Sequence, residues 1–129
     1  MRTLKYRAYI KPLKRYAEKY ETILFHHQCN MEPSWTVNIS PEEYYGDEDL
    51  VIEQFTGLLD RNGKEIYEGD IMRYDAIDYK VLWADYYAGF ETKRLNSPWN
   101  NAGLTLHFLA SVGRVIGNIH ENPELLEDK

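Results

Sequence analysis

The sequence predicts a mainly β fold: an SH3-like small barrel with an N-terminal β-hairpin extension and a short C-terminal helix. Three observations carry that reading. Eleven Tyr, four Phe and three Trp make up 14% of the 129 residues, and such rings suit pleated, half-buried surfaces. Residues 4 to 11 alternate apolar and polar with a period of two. Beyond residue 50, short β-type runs recur about every ten residues between Asp-, Gly-, Asn- and Pro-bearing loops, the spacing of a small barrel or sandwich. This length is enough to bury one core, or one core with an appended element. The expected division is 1–49, a β extension with a loop, and 50–129, the barrel.

Along the chain, Leu4, Tyr6, Ala8 and Ile10 alternate with Lys5, Arg7, Tyr9 and Lys11 until Pro12 stops the strand. Leu13, Tyr16, Ala17, Tyr20, Ile23 and Leu24 fit helical spacing, yet Thr22 to His27 also reads as β-favouring; a hairpin partner strand at 20–27 is preferred. Residues 30–49 carry Pro33, Pro41, Gly46 and the acids Asp47, Glu48 and Asp49, which predicts a loop and the junction. Leu50 to Thr56 reads as a strand. Asp60-Arg61-Asn62-Gly63 reads as a turn, with Asp60 capping it and Asn62-Gly63 tolerating positive φ. Glu68-Gly69-Asp70 is a second turn. Gly57, Gly63 and Gly69 fall at six-residue intervals, placing backbone freedom at the ends of short strands. Five further strands are expected near 70–75, 80–84, 90–94, 104–110 and 114–119. Asn122 as N-cap, Pro123 at the first helical position and Glu124 beside the helix N-terminus predict one or two helical turns closing the barrel.

Composition narrows the function classes. No apolar run approaches the roughly 20 residues of a membrane helix, the first ten residues lack a signal-peptide core, and the single Cys29 leaves no internal disulfide framework. A cytoplasmic protein without membrane contact is expected. Net charge is −6, but Arg2, Lys5, Arg7, Lys11, Lys14, Arg15 and Lys19 face only Glu18 in the first 19 residues, net +6 against −12 over the remainder. Opposite fields favour intramolecular docking or head-to-tail contact between copies, weakened by salt. A nucleic-acid arm is the alternative.

No catalytic or ligand signature stands out. Gly57 to Lys64 has five residues between the glycines where a phosphate loop has four, and Glu65 replaces its hydroxyl residue. Asp60, Asn62 and Gly63 evoke a calcium loop, but Ile71 stands where its closing Glu belongs. His26, His27 and Cys29 are metal ligands by type, yet His26 and His27 would face opposite ways in a strand, and His107 and His120 could join only through the fold. Ser97 and Ser111 lack a nucleophile-elbow context. No catalytic residue, metal or cofactor is expected. Aromatics in or beside predicted loops, among them Tyr44, Tyr45, Trp83, Tyr86, Tyr87, Phe90 and Trp99, are the feature to follow, because hot spots at interfaces favour Trp, Tyr and Arg.

Two long motifs, QFTGLLDRNGKEIYEGDI at Gln54–Ile71 and VIGNIHENPELL at Val115–Leu126, together with Lys5-Tyr6-Arg7-Ala8-Tyr9, resemble the signatures of the YopX family of phage and prophage proteins. Residues 13–49 and 75–103 match no such pattern, and Tyr9 stands where a Trp is commoner. The resemblance implies a β-rich, SH3-like C-terminal domain and a phage or prophage origin, and it implies no activity. The expectation is therefore a non-enzymatic interaction module binding a protein partner or itself through Arg2, Lys5, Arg7, Lys11, Lys14, Arg15, Tyr86, Tyr87 and Trp99. A nucleic-acid-binding barrel using the basic N-terminal segment is second, and an enzyme third.

Overall fold

A computed structural model describes residues 5–18, 21–26, 34–96 and 103–126. It is mainly β, with one short α-helix among the described residues. Two compact units form, Tyr6–Glu53 and Met1–Lys5 with Gln54–Lys129. No described helix is long and apolar enough to cross a membrane.

In the Tyr6–Glu53 unit, β1 (Tyr6–Ile10) passes through a 3-10 turn at Lys11–Leu13 into the very short β2 (Arg15–Tyr16), with Tyr9 opposite Tyr16 and Ile10 opposite Arg15. Pro12 serves that turn, and Lys14 takes a left-handed conformation, φ 55°. The hairpin partner of β1 is thus residues 15–16, not 20–27. β3 (Thr22–His26) is a strand, as expected, but it pairs with β4 (Ser34–Ser40), which in turn pairs with β5 (Glu43–Gly46). The loop expected over 30–49 is corrected accordingly: Pro41 occupies the tight turn between β4 and β5, and Asp47–Asp49 form a 3-10 turn. Proline at a hairpin turn leaves the flanking ladder intact, so its presence did not exclude strands on either side. Ile23, Val37 and Tyr45 sit opposite one another across this sheet; Val37 joins Ala8, Ile10 and Leu50 in a core against which Ile23 and Tyr45 pack.

The second unit takes over inside β6 (Leu50–Leu59), which pairs with β7 (Glu65–Tyr67). β8 (Asp70–Tyr74), β9 (Ile77–Ala84), β10 (Gly89–Arg94) and β11 (Arg114–Asn118) form an antiparallel sheet in the order β10-β9-β8-β11. The strand expected at 104–110 is instead helix α1 (Leu106–Val112). Alternation over Leu104, Leu106, Phe108 and Ala110 fits a strand, but it would send Leu109 to the opposite face. The helix puts Leu106, Leu109 and Ala110 on one side, where all three are buried with Ile66, Met72, Tyr79 and Val81. Thr105 enters it extended, and the Gly113 N–H donates to the Leu109 carbonyl at 2.7 Å. A Cβ on Gly113 would lie 2.9 Å from that same carbonyl oxygen and 3.1 Å from the Arg73 one, so the position needs glycine. The C-terminal turn, Pro123–Leu126, is 3-10.

Candidate interaction surface

The turn residues hold the second unit together. At Asp60–Gly63, one Asp60 carboxylate oxygen accepts from the Asn62 and Lys64 N–H groups at 2.8 and 2.9 Å, and the other accepts from Val115 at 2.9 Å. Burial pushes this carboxyl upward, but the Val115, Lys64 and Asn62 donors together outweigh it and hold it below the usual Asp value. Gly63 takes φ 81°; Gly57 and Gly69 both take 88°. Asp70, buried, accepts from the Tyr67 N–H at 2.8 Å across the Glu68-Gly69 turn. Asn122 precedes the last turn as expected, but its oxygen accepts from the Asn118 N–H at 3.2 Å, ahead of the turn it was expected to cap. The reason lies in Gly117, where a Cβ would collide with the Asn122 side chain: that side chain is folded back over β11. Each of these side chains is committed to backbone.

Three of the basic N-terminal residues, Lys5, Arg7 and Arg15, are held in ion pairs within the fold. Lys5 pairs with Glu65 at 2.8 Å. Arg7 pairs with the buried Glu53 at 2.8 Å and lies 4.5 Å from the Tyr16 ring centre, while the Tyr16 hydroxyl donates to the same carboxylate. Arg15 binds Glu21 through two nitrogens at 2.7 and 3.0 Å, and this pairing, against the opposing effect of burial and with help from the Glu18 N–H, lowers the Glu21 pKa. A buried carboxylate needs such partners, so the sequence's excess of cations here is partly a demand of its own acids. Lys11 and Lys14 are exposed without ion pairs among the described residues. Arg2, Lys19, Ser97 and Trp99 lie outside the described residues, as do His27, Cys29 and the His26 side chain.

Among the described residues no group of three His, Cys, Asp or Glu could hold a metal ion. The Ser111 hydroxyl donates to the Phe108 carbonyl at 2.7 Å on α1.

Tyr86 and Tyr87 stand differently. They occupy the tip between β9 and β10, exposed by 80% and 49%, with ring centres 4.7 Å apart in an edge-on arrangement. Both hydroxyls are tethered: Tyr86 donates to Glu91 at 2.7 Å and Tyr87 to the Phe90 carbonyl at 3.0 Å. The hydrogen bond to Glu91 raises the Tyr86 pKa, and desolvation, followed by the Glu91 charge, raises that of Tyr87, so both stay protonated donors. At the foot of the tip Trp83 meets Phe90 edge-on at 5.0 Å. Gly89 makes room, since a Cβ there would lie 2.6 Å from the Tyr87 ring. Beside the tip an open depression of about 600 Å³ is lined by Tyr87, Phe90, Thr92, Lys93, Leu104 and Leu106, among others. The tyrosine pair is legible in the sequence, and the signal for Gly89, without which Tyr87 could not lie where it does, is a glycine directly after an aromatic turn.

The YopX protein family model matches residues 5–127. Among solved structures, protein EF1440 from Enterococcus faecalis is similar, with 32% sequence identity and a TM-score of 0.65 over 98% of this chain and 100% of that one. None of the curated proteins matches.

Proposed function

This chain belongs to the YopX family, and we propose that it is a non-enzymatic interaction module, encoded by a phage or prophage, that binds a protein partner in the bacterial cytoplasm. A second copy of the chain is one such partner. The observation that supports this most is the Tyr86–Tyr87 tip, two large rings held outward by tethered hydroxyls. Fixing an aromatic pair before binding reduces the ordering cost of association, and Tyr is a favoured anchor because each ring offers wide contact at low entropic cost. The same reading takes the strands from β6 onward as an SH3-like barrel, with the β9–β10 tip as a loop carried by a rigid scaffold.

The test compares the full chain with a Tyr86→Ala/Tyr87→Ala variant by light scattering at low and high salt and by capture from host lysate. Loss of an oligomer or of a specific captured protein in the variant supports the proposal. Identical behaviour of the two chains removes it. Nucleic-acid binding through the N-terminal segment is less favoured, since Lys5, Arg7 and Arg15 are ion-paired.

A further inference from the structure

A second surface of the Gln54–Lys129 unit has a different chemistry. Arg73 on β8 and Arg114 on β11 are directly opposite in the sheet, and like charges in that relation are destabilising. The Asp60–Gly63 turn adds Arg61, whose N–H donates to the Gly113 carbonyl at 3.1 Å, next to Arg114. The Asp60–Val115 hydrogen bond fixes this apposition from the other side. All three arginines line one concave depression of about 400 Å³, within the size range of small-ligand sites. Asp78 neutralises Arg73 through Nε and Nη2, at 2.7 and 3.1 Å, leaving Nη1 outside that pair. Arg61 and Arg114 have no ion pair among the described residues, and Asp75 is the one carboxylate in the lining.

We propose that this depression binds a phosphate group, free or carried by a small organic molecule. Guanidinium forks match phosphate oxygens, and Arg is the residue suited to planar, bidentate recognition of that group. A bound dianion would also compensate Arg61 and Arg114, whose charges Asp78, paired with Arg73, leaves unopposed. A compact ligand is favoured over a polyanion because the chain as a whole carries −6, and an extended phosphate backbone would meet that field.

The experiment is an NMR titration of the arginine Nε–H signals of the full chain, with inorganic phosphate replacing chloride at constant ionic strength. Saturable shifts at Arg61 and Arg114 are expected, weakened about tenfold by Arg61→Gln or by Arg114→Gln. Equal shifts with chloride, or undiminished phosphate affinity in both variants, overturn the proposal. Adenosine monophosphate binding more tightly than phosphate assigns the ligand to an organic phosphate, and equal affinity assigns it to the free ion. A saturable response confined to a single-stranded oligonucleotide overturns the small-ligand assignment. Without phosphate, Arg114→Gln should unfold at no lower urea concentration than the native chain; a lower midpoint would make Arg114 a structural residue and overturn the proposal.

Discussion

Two turns of the same unit begin with Asp and use their side chains in opposite ways. At Asp60–Gly63 the carboxylate is buried and accepts from three N–H groups, one of them 55 residues away. At Asp85–Ala88 the side chains point out, and Tyr86 is 80% exposed. The first turn is the more conspicuous in sequence, with Asp, Asn and Gly in motif order, and its residues are consumed by the fold. The second has no motif, and its rings are available to a partner. In this chain, then, the strongest local pattern marks an internal joint, and surface chemistry lies where side chains are left over.

Changes at the two turns should therefore separate stability from binding. The largest expected effect is Asp60→Ala, which strands three donors and should cost about 3 kcal/mol of unfolding free energy in a urea titration. A cost under about 1 kcal/mol would mean the carboxylate is not the joint described. Next comes pH. Because the folded Asp60 pKa lies below its ordinary value, its stabilisation is present above about pH 4 and is lost as pH falls through the folded value. Asp60→Asn should flatten the acid limb of stability against pH, while the limb due to Glu21, whose pKa is also lowered, should persist. An unchanged acid limb would contradict the assignment.

A smaller effect is expected from Gly63→Ala. No atom stands within 4 Å of the added Cβ, so only the φ of 81° resists it, at about 1 kcal/mol. The smallest belongs to the other turn. Tyr86→Ala and Tyr87→Ala should each change stability by no more than about 0.5 kcal/mol, although both should weaken binding. Gly89→Ala should shift the Tyr87 ring, which lies 2.6 Å from the added Cβ, while leaving thermal unfolding nearly unchanged. If it unfolds the protein, the tip is part of the core's support.

What was legible in the sequence follows the range of the deciding contacts. The Asp60 turn could be read because two of its three hydrogen bonds fall within four residues; the Val115 link could not. Strand β3 was found from its β-favouring run, but its partner was not, since Phe25 facing Trp35 at 4.8 Å is a choice made between strands. At 104–110 both periods fitted, and burial of Leu109 with Met72 and Val81 selected the helix. Proline and acids at 30–49 suggested loop; Pro41 in fact punctuates two paired strands, and Asp47 accepts from the Trp35 N–H at 2.6 Å. Of the candidate surface, Tyr86 and Tyr87 were visible as residues near a turn, but their tethering to Glu91 and Phe90 required the β9–β10 register. The ion pairs that occupy Lys5, Arg7 and Arg15 reach 60, 46 and 6 residues along the chain, and net charge by segment could not show them.

On the proposed reading the outward tip, and not the buried turn, is the binding element. The most direct measurement immobilises the full chain and its Tyr86→Ala/Tyr87→Ala variant, each verified as folded, and compares quantitatively what each retains from host lysate and from a solution of the free chain. The native chain should hold a protein whose retention falls at least about tenfold in the variant, the order expected when an aromatic anchor is removed. Equal retention by both chains, or no retention by either, would contradict that reading.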